Sequence, residues 1–145
     1  MKVIARIAEL PAEERLTALL DAMPYARYLG VQAEAIGDEV LTRLPFKDEL
    51  VGNPMLPAIH GGVLGTMLEA TCTVQLLQAT AFTRLPKTID FQVEYLRSAR
   101  PKTLFGRASL TRQGRRVANV RAELWQDERA RPVAVGRGHF LLDSL

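Results

Sequence analysis

The chain has 145 residues, 48% hydrophobic and 24% charged, with a formal net charge of +3, enough for one domain whose core needs no covalent staples. Its single cysteine, Cys72, excludes an internal disulfide and any cysteine-rich metal site. No stretch approaches the apolar length of a membrane span and no N-terminal run has that of a signal peptide, so the expectation is a soluble cytoplasmic protein with no membrane partner.

Residues 7–22 place Ile7, Leu10, Leu16, Leu19 and Leu20 among charges, with Pro11 near the start. This spacing predicts a short amphipathic N-terminal helix that packs as a flap. Beyond Pro24, residues 31–36 and 39–45 read as two strands joined at Gly37-Asp38, a first hairpin. Residues 52–77, GNPMLPAIHGGVLGTMLEATCTVQLL, then read as an irregular loop ending at His60, a Gly61-Gly62 pair, and a helix that runs on to residue 81. Val63, Leu64, Met67, Leu68, Ala70, Val74, Leu76 and Leu77 make that helix apolar on nearly every side, the pattern of a buried element.

Glu69 is the one acid inside it. At 100° per residue, Gln78 lies about 180° and Gln75 about 120° around the axis, so Glu69 is off their polar stripe. Its neighbours at three- and four-residue spacings are Gly62, Gly65, Thr66, Cys72 and Thr73, a lane of small side chains that lets something come close. A carboxylate withdrawn from water is costly and holds its proton more readily, which suits a general base or nucleophile. The same placement suits a structural pairing with an arginine or with another subunit. Cys72, among apolar neighbours, reads as a small core residue. His60 reads first as a brace of the loop, bonded to a backbone carbonyl, and second as an acid-base group.

Residues 88–96 alternate strictly, with Ile89, Phe91, Val93 and Tyr95 on one face and Asp90, Gln92 and Glu94 on the other. Residues 104–110, 117–125 and 133–141 follow as an antiparallel meander, separated by turns at 112–115 and 127–132. Gly106, Ala108, Ala122, Ala134, Gly136 and Gly138 leave one face of these strands hollow, as a buried helix requires. The expected fold class is α+β: an antiparallel sheet wrapped around a central helix, in the order β-β-α-β-β-β-β.

Basic residues crowd the C-terminal third, from Arg97, Arg100 and Lys102 through Arg115, Arg116 and Arg121 to Arg129 and Arg131. Such a field suits a polyanion, a small phosphorylated ligand or simply a solvated sheet edge. No helix-turn-helix, zinc-ligand spacing or RNA-binding aromatic motif accompanies it, so nucleic acid is not expected as a partner. His139 stands alone on a strand and reads as structural, no metal-ligand spacing occurs, and no G-x-S-x-G elbow supports a serine nucleophile.

In HGGVLGTMLE, His-Gly-Gly precedes an acid nine residues after the histidine; YARYLGV, DFQVEYLRSAR, GRASLTRQGRR and VAVGRGHF accompany it. On these motifs, residues 24–142 resemble a hotdog-fold acyl-CoA thioesterase of the phenylacetate-pathway (PaaI-like) branch. The resemblance implies that the Gly61 N–H and the helix dipole polarise the thioester carbonyl. It makes Glu69, supplied from the other subunit, the nucleophile or the base that activates water, and it gives Thr73, one turn further, a part in holding that water. The family places an Asn or Gln six residues before the histidine; here that position is Pro54, and Asn53 is the nearest amide.

The reading is a single domain over residues 1–145 that hydrolyses acyl-CoA without metal or cofactor. Gly62, Gly65 and Thr66 would lie beside the thioester, and Arg84 and Lys87 would meet the CoA phosphates. One thin sheet cannot cover both small-residue lanes of the helix, so a homodimer is expected, and the resemblance implies a dimer of dimers, a homotetramer. Two rivals are a hotdog-fold hydroxyacyl-thioester dehydratase, whose His and Glu stand at another spacing, and a non-catalytic acyl-CoA-binding module, which has no need of Glu69.

Overall fold

The computed structural model describes residues 2–80 and 84–142. Three helices lead: α1 (Lys2–Ala8), α2 (Ala12–Asp21) and α3 (Pro24–Leu29). Where one N-terminal helix was expected there are two, because Pro11 adopts an extended conformation (φ −51°, ψ 147°) and caps α2. A proline ring inside a continuous helix would remove a hydrogen bond and clash with the preceding turn. Nor do these helices form a flap: Ile4, Ile7, Leu16, Leu19 and Leu20 are buried in the common core, with α2 packed on β1 and α4. Gly30, at φ 87°, closes α3 with a left-handed cap.

The strands are β1 (Gln32–Ile36), β2 (Glu39–Leu44), β3 (Val51–Asn53), β4 (Leu56–Ile59), β5 (Lys87–Tyr95), β6 (Leu104–Gln113), β7 (Val117–Trp125) and β8 (Ala134–Leu141), with α4 (Gly61–Ala79) between β4 and β5. The end expected for α4, at residue 81, lies outside the described residues. Six strands form one antiparallel sheet in the order β1-β2-β6-β7-β8-β5. The meander β6-β7-β8 is as expected, and β5 takes the far edge beside β8, leaving its other side unpaired in the single chain. The segment expected as an irregular loop before His60 is instead the small hairpin β3–β4.

The helix α4 lies on one face of the sheet, against β2, β6, β7 and β8. Met67, Leu68, Val74 and Leu76 are fully enclosed with Leu44, Leu104, Val120, Leu124 and Phe140. Polar ties fix its height over the sheet. The buried Gln75 amide accepts from Val40 N–H (2.8 Å) and donates to Asp38 C=O (3.0 Å), and the Thr71 and Thr42 hydroxyls meet at 2.7 Å. The hollow of small residues serves two guests. At Gly106 an added Cβ would come within 2.6 Å of Thr42 Oγ1 and 3.0 Å of Thr71 Oγ1, so the helix side claims that space. At Gly138 it would lie 2.5 Å from Phe91 Cδ2, so here the hollow receives an aromatic ring from β5.

The alternation of β5 breaks at a bulge. Thr88 pairs with Phe140 and Asp90 with His139, which leaves Ile89 as the extra residue. Ile89 is therefore exposed and does not share the half-buried face of Phe91 and Val93, as strict alternation would have it, and Thr88 turns toward α4 in its stead.

Candidate active site

Glycine opens α4 and histidine caps it. The His60 Nδ1 accepts from the Gly62 N–H at 2.8 Å, while the His60 carbonyl accepts from Val63 and Leu64 at 2.9 and 3.2 Å. The imidazole thus braces a backbone N–H, where a carbonyl partner was expected, and Nδ1 is its unprotonated nitrogen. Of the first-turn donors this leaves Gly61 N–H with no acceptor among the described residues. A free N–H at the positive end of a 19-residue helix is a ready donor to a developing oxyanion.

Glu69 sits two turns further along and is half-buried. Its carboxylate accepts from the Thr88 hydroxyl at 2.5 Å, so the bulge in β5 is what delivers a hydrogen-bond partner to the acid. Thr73, one turn further, donates to the main-chain oxygen of Glu69 at 2.9 Å and keeps its acceptor lone pairs. Cys72 is enclosed, and burial first, then the charge of Glu69, push its thiol well above the ordinary range. A thiol so held stays protonated and inert, in keeping with its core reading.

Gly61, Gly65, Thr66 and Glu69 are partly open and Gly62 is exposed, while the rest of the helix is enclosed as far as Leu77. They form a stripe that faces β5. Strand β5 runs back along it, with Thr88 on Glu69 at one end and Tyr95 on Gly61 at the other: the Tyr95 hydroxyl donates to Gly61 C=O at 3.0 Å. Thr66 donates to Gly62 C=O at 2.9 Å. Asn53 is engaged in the β3–β4 turn, its Oδ1 accepting from Met55 N–H at 3.0 Å, and Met55 and Leu56 there are strongly exposed. Lys87 is exposed at the start of β5.

Neither Thr88 nor Tyr95 was singled out from the sequence. Strict alternation puts Thr88 on the face of Asp90, Gln92 and Glu94, and no residue type at Ile89 announces a bulge. Some of the basic residues of the C-terminal third are paired with nearby acids. Arg107 pairs with Glu39 (2.6 Å), Arg129 with Glu123 (2.7 Å), and Arg100 and Lys102 share Asp127. His139 hydrogen-bonds Asp90 at 2.9 Å, which holds that carboxyl below its usual range.

An antiparallel sheet on a buried helix defines a hotdog fold, and the unclaimed Gly61 N–H at the helix start and Glu69 two turns on mark its candidate site. A sequence model of the thioesterase superfamily matches residues 56–133. The chain is 32% identical over 121 residues to the medium/long-chain acyl-CoA thioesterase YigI of Escherichia coli K12, spanning 73% of this chain and 77% of that one. Among solved structures, a protein from Chromobacterium violaceum is 36% identical over 100% of this chain and 99% of its own, with a TM-score of 0.78. A phenylacetic acid degradation-related protein from Ralstonia eutropha JMP134 is 26% identical over 88% and 98%, with a TM-score of 0.74. The chain belongs to the thioesterase superfamily and is a thioester hydrolase of the hotdog fold. Among the described residues, no helix is long and apolar enough to cross a membrane.

Proposed function

We propose that this protein hydrolyses acyl-CoA thioesters to the free acid and CoA, at sites built from two copies of the chain. The observation that carries this reading is the unclaimed Gly61 N–H at the start of α4. In one copy, Gly61 and Glu69 stand eight residues apart on the same helix, about 12 Å along its axis. That is too far for both to act on one carbonyl. A second copy laid antiparallel along the open edge of β5 supplies its own Glu69 beside the first copy's Gly61. The exposed Met55, Leu56, Ile89 and Leu96 give such a partner apolar surface to cover.

The Gly61 N–H then holds the carbonyl oxygen as it gains charge. Glu69 of the partner subunit either takes a proton from water, whose oxygen bonds to the carbonyl carbon, or attacks that carbon itself. The C–S bond breaks and the sulfur leaves as CoA thiolate, which then takes a proton; where Glu69 itself attacks, water next adds to the mixed anhydride so formed, releasing the free acid and restoring the carboxylate. Thr88 orients the acid, Thr73 lines the helix beside it, and His60 keeps the first turn in shape. Asn53 approaches from the β3–β4 turn of this or the neighbouring copy. Gly62, Gly65 and Thr66 leave room for the acyl arm, while Arg84 and Lys87 meet the CoA phosphates.

Purified protein incubated with short-chain, long-chain and aromatic acyl-CoAs and a thiol reagent should release thiol from at least one of them. Binding of several without hydrolysis of any would favour the acyl-CoA-binding module. Light scattering at micromolar concentration should give a dimer or a dimer of dimers; an active monomer would sink the shared site.

The stripe makes a sharper prediction at Gly65. An added Cβ there meets nothing closer than the Tyr95 hydroxyl at 3.9 Å, so the fold has room for a side chain. Glycine is also a poor residue inside a helix. Gly65→Val should keep or raise the melting temperature while lowering kcat/KM by about tenfold or more, since its methyls enter the acyl path. Parallel loss of stability and turnover would mark Gly65 as a packing residue.

A further inference from the structure

We infer that Tyr95 is a specificity-determining wall of the acyl groove, its ring standing over Gly61 and Gly65 and limiting the size of the acyl group that the seam between α4 and β5 admits. This rests on the thioesterase reading above and goes beyond it by naming the side chain that sets substrate size. Tyr95 ends the edge strand, and its ring lies beside Gly61 and Gly65, the glycines on that face of the start of α4. A Cβ added at Gly61 would come within 3.3 Å of Tyr95 Cε1, and one added at Gly65 within 3.9 Å of its hydroxyl oxygen. An acyl carbonyl held by Gly61 N–H has this ring as its immediate neighbour, and an acyl chain directed along the stripe must pass under it or displace it.

A tyrosine placed so could instead be a brace that holds the end of β5 to the helix. Two observations argue against that. The strand end is already fixed by its backbone: Tyr95 pairs with Ala134, Leu96 and Arg97 N–H both donate to Val133 C=O at 2.9 and 3.1 Å, and Ile59 N–H donates to Ala99 C=O at 2.9 Å. Tyr95 is also 58% exposed in the single chain, so it adds little buried area to the core. A large ring kept half in the open beside Gly61 and Gly65, held at its tip by one hydrogen bond to Gly61 C=O, shapes the groove while adding little to the core.

The test compares Tyr95→Phe, Tyr95→Leu and Tyr95→Ala with the parent, measuring kcat/KM for a series of acyl-CoAs of rising chain length together with one aryl-CoA. Removing the ring should raise the ratio of kcat/KM for the bulkiest over the smallest accepted substrate by about tenfold or more in Tyr95→Ala and in Tyr95→Leu. Tyr95→Phe, which keeps the ring and loses only the hydroxyl, should leave that ratio within about threefold. Should Tyr95→Ala fail to fold, Tyr95→Leu carries the comparison, with melting temperature as the check on structure. Rates that fall in parallel for every substrate would overturn the assignment and make Tyr95 a brace. A parent that hydrolyses no acyl-CoA would remove both this inference and the proposed function; an active parent whose substrate profile ignores Tyr95 would remove this inference alone.

Discussion

Glu69→Gln should lower kcat for the best acyl-CoA by about 10² to 10⁴, the usual cost of deleting a base or nucleophile. The amide keeps the shape of the side chain and can still accept from the Thr88 hydroxyl, so the fold and the seam are preserved. What is lost is basicity. Substrate binding should therefore stay measurable and the melting temperature should hold, which places the effect in the chemical step and not in assembly. A variant that turns over within about threefold of the parent would mean that Glu69 is a structural acid and that the reacting carboxylate has been misassigned.

The second large effect is expected at Gly61→Pro. Proline has no N–H, and at the first position of a helix it loses no intrahelical bond because that donor is free in any case. The preceding residue, His60, already has φ −57° and ψ 136°, a conformation that a following proline favours. The cap from Gly62 N–H to His60 Nδ1 does not involve the Gly61 nitrogen. The added Cβ would press on the Tyr95 ring at 3.3 Å, and that exposed ring can yield. Gly61→Pro should thus fold normally and lose about 10² to 10³ in kcat, as expected for removing one oxyanion donor. Gly61→Ala brings the same Cβ and keeps the N–H, so it should retain most of the activity. Equal losses in the two variants would assign the effect to crowding and clear the N–H of any role.

The buried helix was legible in the sequence because its apolar residues leave no solvent side, and so was the meander, whose strands alternate between turn-rich gaps. The place of Glu69 in a small-residue lane was legible for the same geometric reason: helical periodicity fixes directions around an axis without knowledge of the rest of the fold. Periodicity fails where the backbone leaves its period. The single extra residue at Ile89 moved Thr88 from the face of Asp90 to the acid, and a bulge of that kind follows from how β5 fits against β8 and carries no local signature. The hollow was predicted from Gly136 and Gly138, but its occupant, Phe91, depends on which strand takes the sheet edge. His60 was recognised as a brace, yet its partner proved to be a donor, because a helix N-terminus offers N–H groups and the ring lies within reach of Gly62. Apolar spacing alone reads the N-terminal segment as one helix, whereas Pro11 divides it into two, both with residues in the core.

The most direct measurement of the central claim uses the two inactive variants together. Glu69→Gln and Gly61→Pro chains, co-expressed or refolded as a mixture, form mixed dimers in which one site draws an intact Gly61 from one copy and an intact Glu69 from the other. If the oxyanion donor and the acid come from different copies, the mixture should recover about a quarter of parental thioesterase activity, since half the dimers are mixed and half their sites intact. If the mixture is no more active than the two variants measured apart, the site is not shared between copies in this way, and the account of Gly61 and Glu69 acting on one carbonyl is wrong.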